Sequence, residues 1–251
     1  MLHAPPLPGS PGWQAPFSAV IERVLADAEA LAAGGVDGLM LENYGDVPFL
    51  AEQVAPETIA ALAVLAREVR ATSALPLGIN VLRNDAAAAL AIAAATGARF
   101  IRVNVHTGAM LTDQGWITGR AADTLRRRAA LNVPVAIFAD VLVKHAVPPV
   151  GLTAAAAARD TWERGLADAL IVSGAATGAV TEADRLREVR AAVPAAPLLI
   201  GSGLDAEHAE LLRLADGAIV GSALQRGQRA GEPVERLRVE RLMATVQSLR
   251  G

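Results

Sequence analysis

The sequence predicts an α/β fold, a (β/α)8 TIM barrel, on three observations. Its 251 residues are long for one ordinary domain and typical of a single barrel of this kind. Short runs rich in Val, Ile and Leu alternate with longer amphipathic segments along the whole length, the pattern of repeated βα units around a buried parallel sheet. The residues that end those runs are unusually polar, and in such a barrel ligands sit at the carboxyl ends of the strands. No linker or break in composition interrupts the pattern, so one domain over 1–251 is expected.

In chain order, strands are expected at 36–42, 77–81, 100–103, 133–140, 169–173, 198–201 and 217–220. Helices fall between and after them, at about 17–33, 56–72, 85–96, 120–130, 153–164, 181–192, 206–213 and 234–249. Seven strands against eight helices leave one strand to be found before the first helix, where only Met1 to Ala4 precede the prolines. Either that strand is abbreviated, with His3 at its carboxyl end, or the chain begins too late, since an eight-stranded barrel needs it to close. A flavodoxin-like open sheet is the rival, and a helix after the last strand favours the closed form. Pro16 and Pro56 suit a first helical turn, while Asn84 and Asp205 can cap the third and seventh helices. Gly34-Gly35 and Gly97 end theirs, and Pro76, Pro134 and Pro197 stand just before strands.

Composition excludes several classes. An apolar fraction of 53%, aromatics at 3% and a net charge of −3 speak against disorder and against a general nucleic-acid surface. With no cysteine there is no disulfide framework, thiolate metal site or cysteine nucleophile. The amino terminus lacks the basic start and apolar segment of a signal peptide. The longest apolar run, 86–98, is mostly alanine and falls short of the ~20 residues of a membrane span. A soluble, cytoplasmic protein without membrane insertion is expected.

The chemistry gathers at the strand ends. Lys144 is the only lysine in a chain with 22 arginines. An amine can lose its proton when buried and attack a carbonyl, which a guanidinium cannot do. It follows the strand that ends in Asp140 and is followed by His145. Other strand ends carry His3, Glu42-Asn43-Tyr44, Asn80 with Arg83, and Asn104 with His106. This ring is read as the polar floor of an active site. The sixth, seventh and eighth strands end instead in Ser173-Gly-Ala-Ala-Thr177-Gly, Gly201-Ser202-Gly203 and Gly221-Ser222. Small residues let backbone amides approach an oxyanion, and the loops after the last two strands of such barrels are a frequent phosphate site. The long 106–120 loop suits a lid, with Asp113, Gln114 and Trp116 within reach of a ligand. His3, Glu42, Asp140 and His145 could converge on a divalent metal, but no His-x-His or His-x3-His motif supports one, and no cofactor is expected. His208 reads as a surface residue, and Trp13 and Trp162 as packing residues.

Six stretches together carry a resemblance: His3-Ala-Pro-Pro-Leu-Pro-Gly-Ser-Pro, Leu41-Glu-Asn-Tyr-Gly-Asp-Val-Pro-Phe49, Gly78-Ile-Asn-Val-Leu-Arg-Asn-Asp85, Ile101-Arg-Val-Asn104, Phe138-Ala-Asp-Val-Leu-Val-Lys-His145 and Leu199-Ile-Gly-Ser-Gly203. Over nearly the whole chain the sequence resembles the BtpA/SgcQ family. The resemblance implies a barrel close to the phosphate-binding barrels. It also implies relatives tied to the accumulation of photosystem I reaction-centre proteins, and others encoded among sugar-uptake genes. It carries no settled reaction.

The residues themselves point to an enzyme acting on a small phosphorylated metabolite, a sugar phosphate or nucleotide-like compound, of lyase, isomerase or glycosidic-bond-cleaving type. Phosphate is expected on Gly201, Ser202, Gly203, Gly221 and Ser222. The rest of the substrate is expected on His3, Asn43, Asn80, Arg83, Asn104 and Thr177. Proton transfer falls to Glu42, Asp140 or His145, with Lys144 stabilising an oxyanion or forming a Schiff base. The alternatives are a non-catalytic assembly factor for a membrane complex and a metabolite-sensing binding protein. A homo-oligomer is expected by analogy with other barrels.

Overall fold

A computed structural model of the chain describes residues 1–174 and 181–250. Its strands in chain order are β1 (Leu2–His3), β2 (Leu39–Glu42), β3 (Leu77–Asn80), β4 (Phe100–Val103), β5 (Ala109–Thr112), β6 (Gly115–Thr118), β7 (Ala136–Val141), β8 (Ala169–Val172), β9 (Leu198–Ile200) and β10 (Gly217–Ala218). All but β5 and β6 join one curled parallel sheet in the order β1-β2-β3-β4-β7-β8-β9-β10. The helices are α1 (Phe17–Ala33), α2 (Pro56–Thr72), α3 (Ala86–Thr96), α4 (Ala121–Leu131), α5 (Ala154–Arg159), α6 (Ala183–Ala192) and α7 (Arg236–Arg250). This is the expected α/β barrel architecture, and the first strand is the abbreviated one, ending in His3. Across the seam, the Met1 amino group donates to the Val220 carbonyl at 2.8 Å, and α1 packs on α7.

Strand residues alternate between two faces, and the two faces differ here in kind. The outward set, Leu2, Leu41, Ile79, Ile101 and Ile137, is buried against the surrounding helices. Ala139, Leu170, Val172, Leu198 and Ile200 do the same in a second cluster. Each Leu, Ile or Val among them contributes roughly 1.5–3 kcal/mol by leaving water. The inward face is apolar low in the barrel, where Met40, Phe100, Phe138 and Leu199 line a void of about 350 Å3. Phe100 stacks on Phe138 with centroids 4.7 Å apart. Gly78 is what admits the Phe100 ring, since a Cβ there would lie 2.0 Å from it. One layer higher, Glu42, Asn80 and Arg102 sit side by side in register, and the interior turns polar.

Several expected details differ. The third helix is capped by Asp85, whose Oδ1 accepts from the Ala88 amide at 2.8 Å, and not by Asn84. Asn84 instead exchanges two hydrogen bonds with the Val105 backbone. The helix expected at 206–213 is a six-residue 3-10 helix, Ala209–Leu214. Asp205 accepts from the amides of Glu207 and His208 ahead of it, so it closes a turn rather than capping an α-helix. The 153–164 helix is α only to Arg159 and continues as a π-turn, Asp160–Arg164. Trp13 is 43% exposed, so it is not a packing residue, whereas Trp162 packs on the second cluster.

The 106–120 loop is an antiparallel hairpin of β5 and β6. Met110 and Ile117, opposite each other on its inner face, are buried with Val105 and Val143 in a small core of their own. A third segment joins: Leu111 and Val147 exchange backbone hydrogen bonds of 2.9 and 2.8 Å. No described helix is long and apolar enough to cross a membrane.

Candidate active site

Above the polar layer the barrel opens into a cavity of about 430 Å3. Part of its wall is charged. His3 ends β1, Glu42 ends β2, Arg102 comes from β4 with Asn104 just beyond it, Arg83 follows β3, and Lys144 and His145 follow β7. Another part is made of glycine and serine, Gly201, Ser202 and Gly203 after β9 and Gly221 and Ser222 after β10. Tyr44, Val47, Phe49, Leu82 and Ile219 add apolar surface, and Asp113 reaches the cavity from the hairpin tip while Gln114 and Trp116 do not.

Eleven of the residues given a catalytic, substrate-binding or phosphate-binding role from the sequence are thus brought to one cavity: His3, Glu42, Arg83, Asn104, Lys144, His145, Gly201, Ser202, Gly203, Gly221 and Ser222. Three others are set behind its wall. Asp140 has a fully buried side chain that accepts from Arg102 Nε at 3.1 Å, Arg102 Nη2 at 2.9 Å and Asn104 Nδ2 at 2.8 Å. Its oxygens are committed to orienting Arg102 and Asn104, a bidentate arrangement with strong charge-assisted bonds. Asn80 donates to Asn104 Oδ1 at 3.1 Å and to the Arg102 carbonyl at 3.2 Å. Asn43 accepts from the Leu82 amide at 2.7 Å and donates to the Leu82 carbonyl and to Asp46, tying the segment after β2 to that after β3. His106 also leaves the ring: it is buried, with Nε2 2.8 Å from the Gly165 carbonyl oxygen. Thr177 lies outside the described residues.

Lys144 is positioned by its loop. Leu142 and His145 both take left-handed backbone angles, φ 54° and 56°, which cost non-glycine residues free energy and persist only when neighbours enforce them. Here the enforcement is visible. Val143 is buried in the hairpin's small core, Val147 pairs with Leu111, and Arg83 Nη2 donates to the Lys144 carbonyl at 3.1 Å.

The electrostatics follow from burial. Burial pushes the Glu42 carboxyl above its ordinary range, against the pull of Arg102 and Lys144. Burial, reinforced by Arg102, holds the Lys144 ammonium below its usual range, and no carboxylate of the described residues lies within ion-pair distance of it. Burial, helped by the amino terminus, draws His3 down to about 3, so its imidazole is neutral. His145 is lowered by burial and by the charges of Lys144 and Arg83. A carboxyl raised and an amine lowered in one cavity have proton affinities drawn toward each other, which suits groups that pass protons to and from a ligand. Among the described residues no cluster of His, Asp and Glu has the geometry to hold a metal ion.

Two residues at the centre of the site were not identified from the sequence. Arg102 is 3% exposed and presents its guanidinium inside the barrel. The available signal was parity: Arg102 and Asn104 lie on the same strand face, the one opposite the apolar Ile101 and Val103. Gln225, fully buried against His3, lies in a turn with no periodic pattern to mark it.

Fold and site together define a (β/α)8-type protein with a polar cavity at the carboxyl ends of its strands. The chain belongs to the BtpA family, which it matches over residues 1–248. It is 47% identical over 95% of its length to 84% of the photosystem I biogenesis protein BtpA of Synechocystis sp.. To an uncharacterized protein of Pyrococcus horikoshii it is 43% identical over its whole length and 95% of the relative. Among solved structures it resembles phosphoribosyl anthranilate isomerase from Thermus thermophilus, with TM-score 0.58, 14% identity and coverage of 90% of this chain and 95% of that one. Orotidine 5'-monophosphate decarboxylase from Methanocaldococcus jannaschii gives TM-score 0.54 and 14% identity, covering 96% and 98%. At such identities these likenesses concern the fold alone.

Proposed function

We propose that the protein is an enzyme acting on a small phosphorylated metabolite, with phosphate on the Gly201–Gly203 and Gly221–Ser222 segments and chemistry at Glu42 and Lys144. The observation that carries this reading is the coexistence, in one cavity, of a glycine and serine wall with a buried carboxyl and an amine that lacks an ion-pair partner among the described residues. Gly203 has φ 71°, and Ser222 opens a short 3-10 turn, whose first N–H groups have no helical acceptor. These features suit an oxyanion. The structural neighbours named above act, by their names, on phosphoribosyl and nucleotide compounds, which agrees with this reading.

In the reading, Glu42 moves the proton, Arg102, oriented by Asp140, supplies fixed positive charge, and Lys144 stabilises a developing oxyanion or forms a Schiff base. His145 and Asp113 close the cavity from above. Arg83, His3 and Asn104 contact the part of the ligand away from the phosphate, while Asn43, Asn80 and Asp140 act by holding those residues in place. The test is turnover: a panel of sugar phosphates and nucleotides is followed by 31P NMR with wild type and Glu42→Gln. At least one compound converted by wild type and spared by the variant is expected. Equal behaviour of the two proteins across the panel would remove Glu42 from the chemistry. Borohydride trapping with the converted compound then decides the Schiff-base form by labelling Lys144 or leaving it unlabelled.

A second reading, a non-catalytic assembly factor, draws on the name of the Synechocystis relative and on exposed Leu111, Trp116 and Val147 beside the cavity mouth. A partner protein or a second copy of the chain would dock there. The readings separate at Lys144→Met, which an assembly role tolerates and an enzyme does not.

A further inference from the structure

The two nitrogens of the His3 ring face different surroundings. Nδ1 lies 3.2 Å from the Gly231 amide nitrogen and within 3.2 Å of both polar atoms of the Gln225 side chain. The Gly231 amide decides between the tautomers. A backbone N–H can only donate, so Nδ1 accepts. The same N–H lies 3.2 Å from Gln225 Oε1, which places the Gln225 carbonyl oxygen toward Gly231 and its amide N–H toward Nδ1, at 3.0 Å. With Nδ1 protonated, both it and the Gly231 N–H would converge on Gln225 Oε1, and the Gly231 N–H would lose Nδ1 as its second acceptor.

The remaining proton therefore sits on Nε2, the nitrogen on the cavity side, 3.9 Å from Glu42 Oε1. The ring has little freedom to turn over. Tyr44 stacks on it with centroids 4.4 Å apart. Gly221 backs it so closely that an added Cβ would stand 3.1 Å from His3 Cε1.

We infer that Gln225 and the Gly231 amide hold His3 as a neutral Nε2–H donor, so that His3 stabilises a ligand oxygen that takes up negative charge while Glu42, not His3, carries the proton. Gln225 is then a positioning residue. The inference rests on the reading of this cavity as a ligand site, and it narrows the ligand to a phosphorylated compound with a carbonyl. In the step served, a Glu42 carboxylate oxygen takes a proton from the carbon next to the carbonyl. The C–H electron pair becomes the new carbon–carbon π bond, and the former carbonyl π pair moves onto oxygen, where the His3 Nε2–H donates its hydrogen bond. Return of the proton from Glu42 to carbon restores the carboxylate. No electrons leave or enter the ligand, and both isomerase and carbon–carbon lyase reactions contain this step. A neutral imidazole suits the oxygen because it gives a hydrogen bond and keeps its proton, where an imidazolium would hand one over.

The test is a two-bond 1H–15N correlation spectrum of the full chain labelled with 15N-histidine and without ligand, His3 being assigned by its loss in His3→Gln. The expected pattern is the Nε2–H tautomer, unchanged between about pH 5 and pH 8. In Gln225→Glu the added carboxylate brings protonation of His3 into that range, a spectroscopic change that a role in packing alone would not produce. Because that variant could fold poorly, the wild-type spectrum stands by itself as the deciding measurement. An Nδ1–H tautomer, or wild-type titration near the ordinary histidine midpoint, would overturn the inference. The ligand-site reading fails separately, through the absence of any response to phosphate esters, and that failure would leave the tautomer untouched.

Discussion

At the scale of single residues, the cavity wall contains groups whose burial costs stability, and the sign of that cost is measurable. The unfolded chain protonates His3 near 6.5, whereas the folded protein does so only at about 3. Between those values unfolding takes up a proton, so this group makes stability rise with pH and fall as the solution is acidified. The unfolding free energy from urea titration should therefore drop more for wild type than for His3→Gln between about pH 7 and pH 4, by a difference on the order of a few kcal/mol. Equal drops would show that His3 is protonated in the fold. The buried Arg102–Asp140 pair gives a second prediction. Asp140→Asn strands the guanidinium and should cost roughly 3–5 kcal/mol, while Arg102→Met with Asp140→Leu costs less than that single change. Chemical denaturation of the wild type and the two variants reads this directly. Glu42, Lys144 and His3 were legible in the sequence because they stand out from an apolar or arginine-only background. Arg102 was not, since one arginine among 22 carries no mark until the strand's parity is known.

At the scale of elements, the hairpin β5–β6 holds the segment that carries Lys144. Its inner residues share a core with Val143, and its edge pairs with Val147. Met110→Ala should leave the barrel folded while loosening that segment. Faster hydrogen exchange is expected at the Val147 amide, which donates to Leu111 at 2.8 Å, with β3 amides unchanged. Uniform acceleration across the barrel would assign Met110 to global stability instead. The helices and strands of the sheet were legible from periodicity, because each hides one apolar face. The hairpin was read as a long loop. Met110 stands between Ala109 and Leu111, and Trp116 directly precedes Ile117, so no apolar–polar alternation marks its two four-residue strands. The shortened 3-10 helix at Ala209–Leu214 was missed for a related reason. Its Leu and Ala pattern permits a full helix, and only packing against its neighbours decides the tighter form.

At the scale of the whole molecule, the barrel separates its two jobs by face and by height. Outward residues and the lower interior hold the fold together, and the upper interior is left to charged and polar groups. The order of βα units made this architecture, and the end of the barrel at which a polar cavity opens, readable before any coordinate. Which strand-end residues reach the cavity was not readable, since Asn43 and Asn80 differ from Asn104 only in where their hydrogen bonds go. In the proposed function the cavity takes a phosphorylated ligand. Thermal unfolding against phosphate, sugar phosphates, nucleosides and nucleotides tests it most directly, because a ligand that binds only the folded state raises the midpoint by mass action. A rise with phosphate esters but not with nucleosides, lost in Ser202→Trp and in Ser222→Trp, is the predicted result. A midpoint that no phosphorylated compound moves would contradict the account.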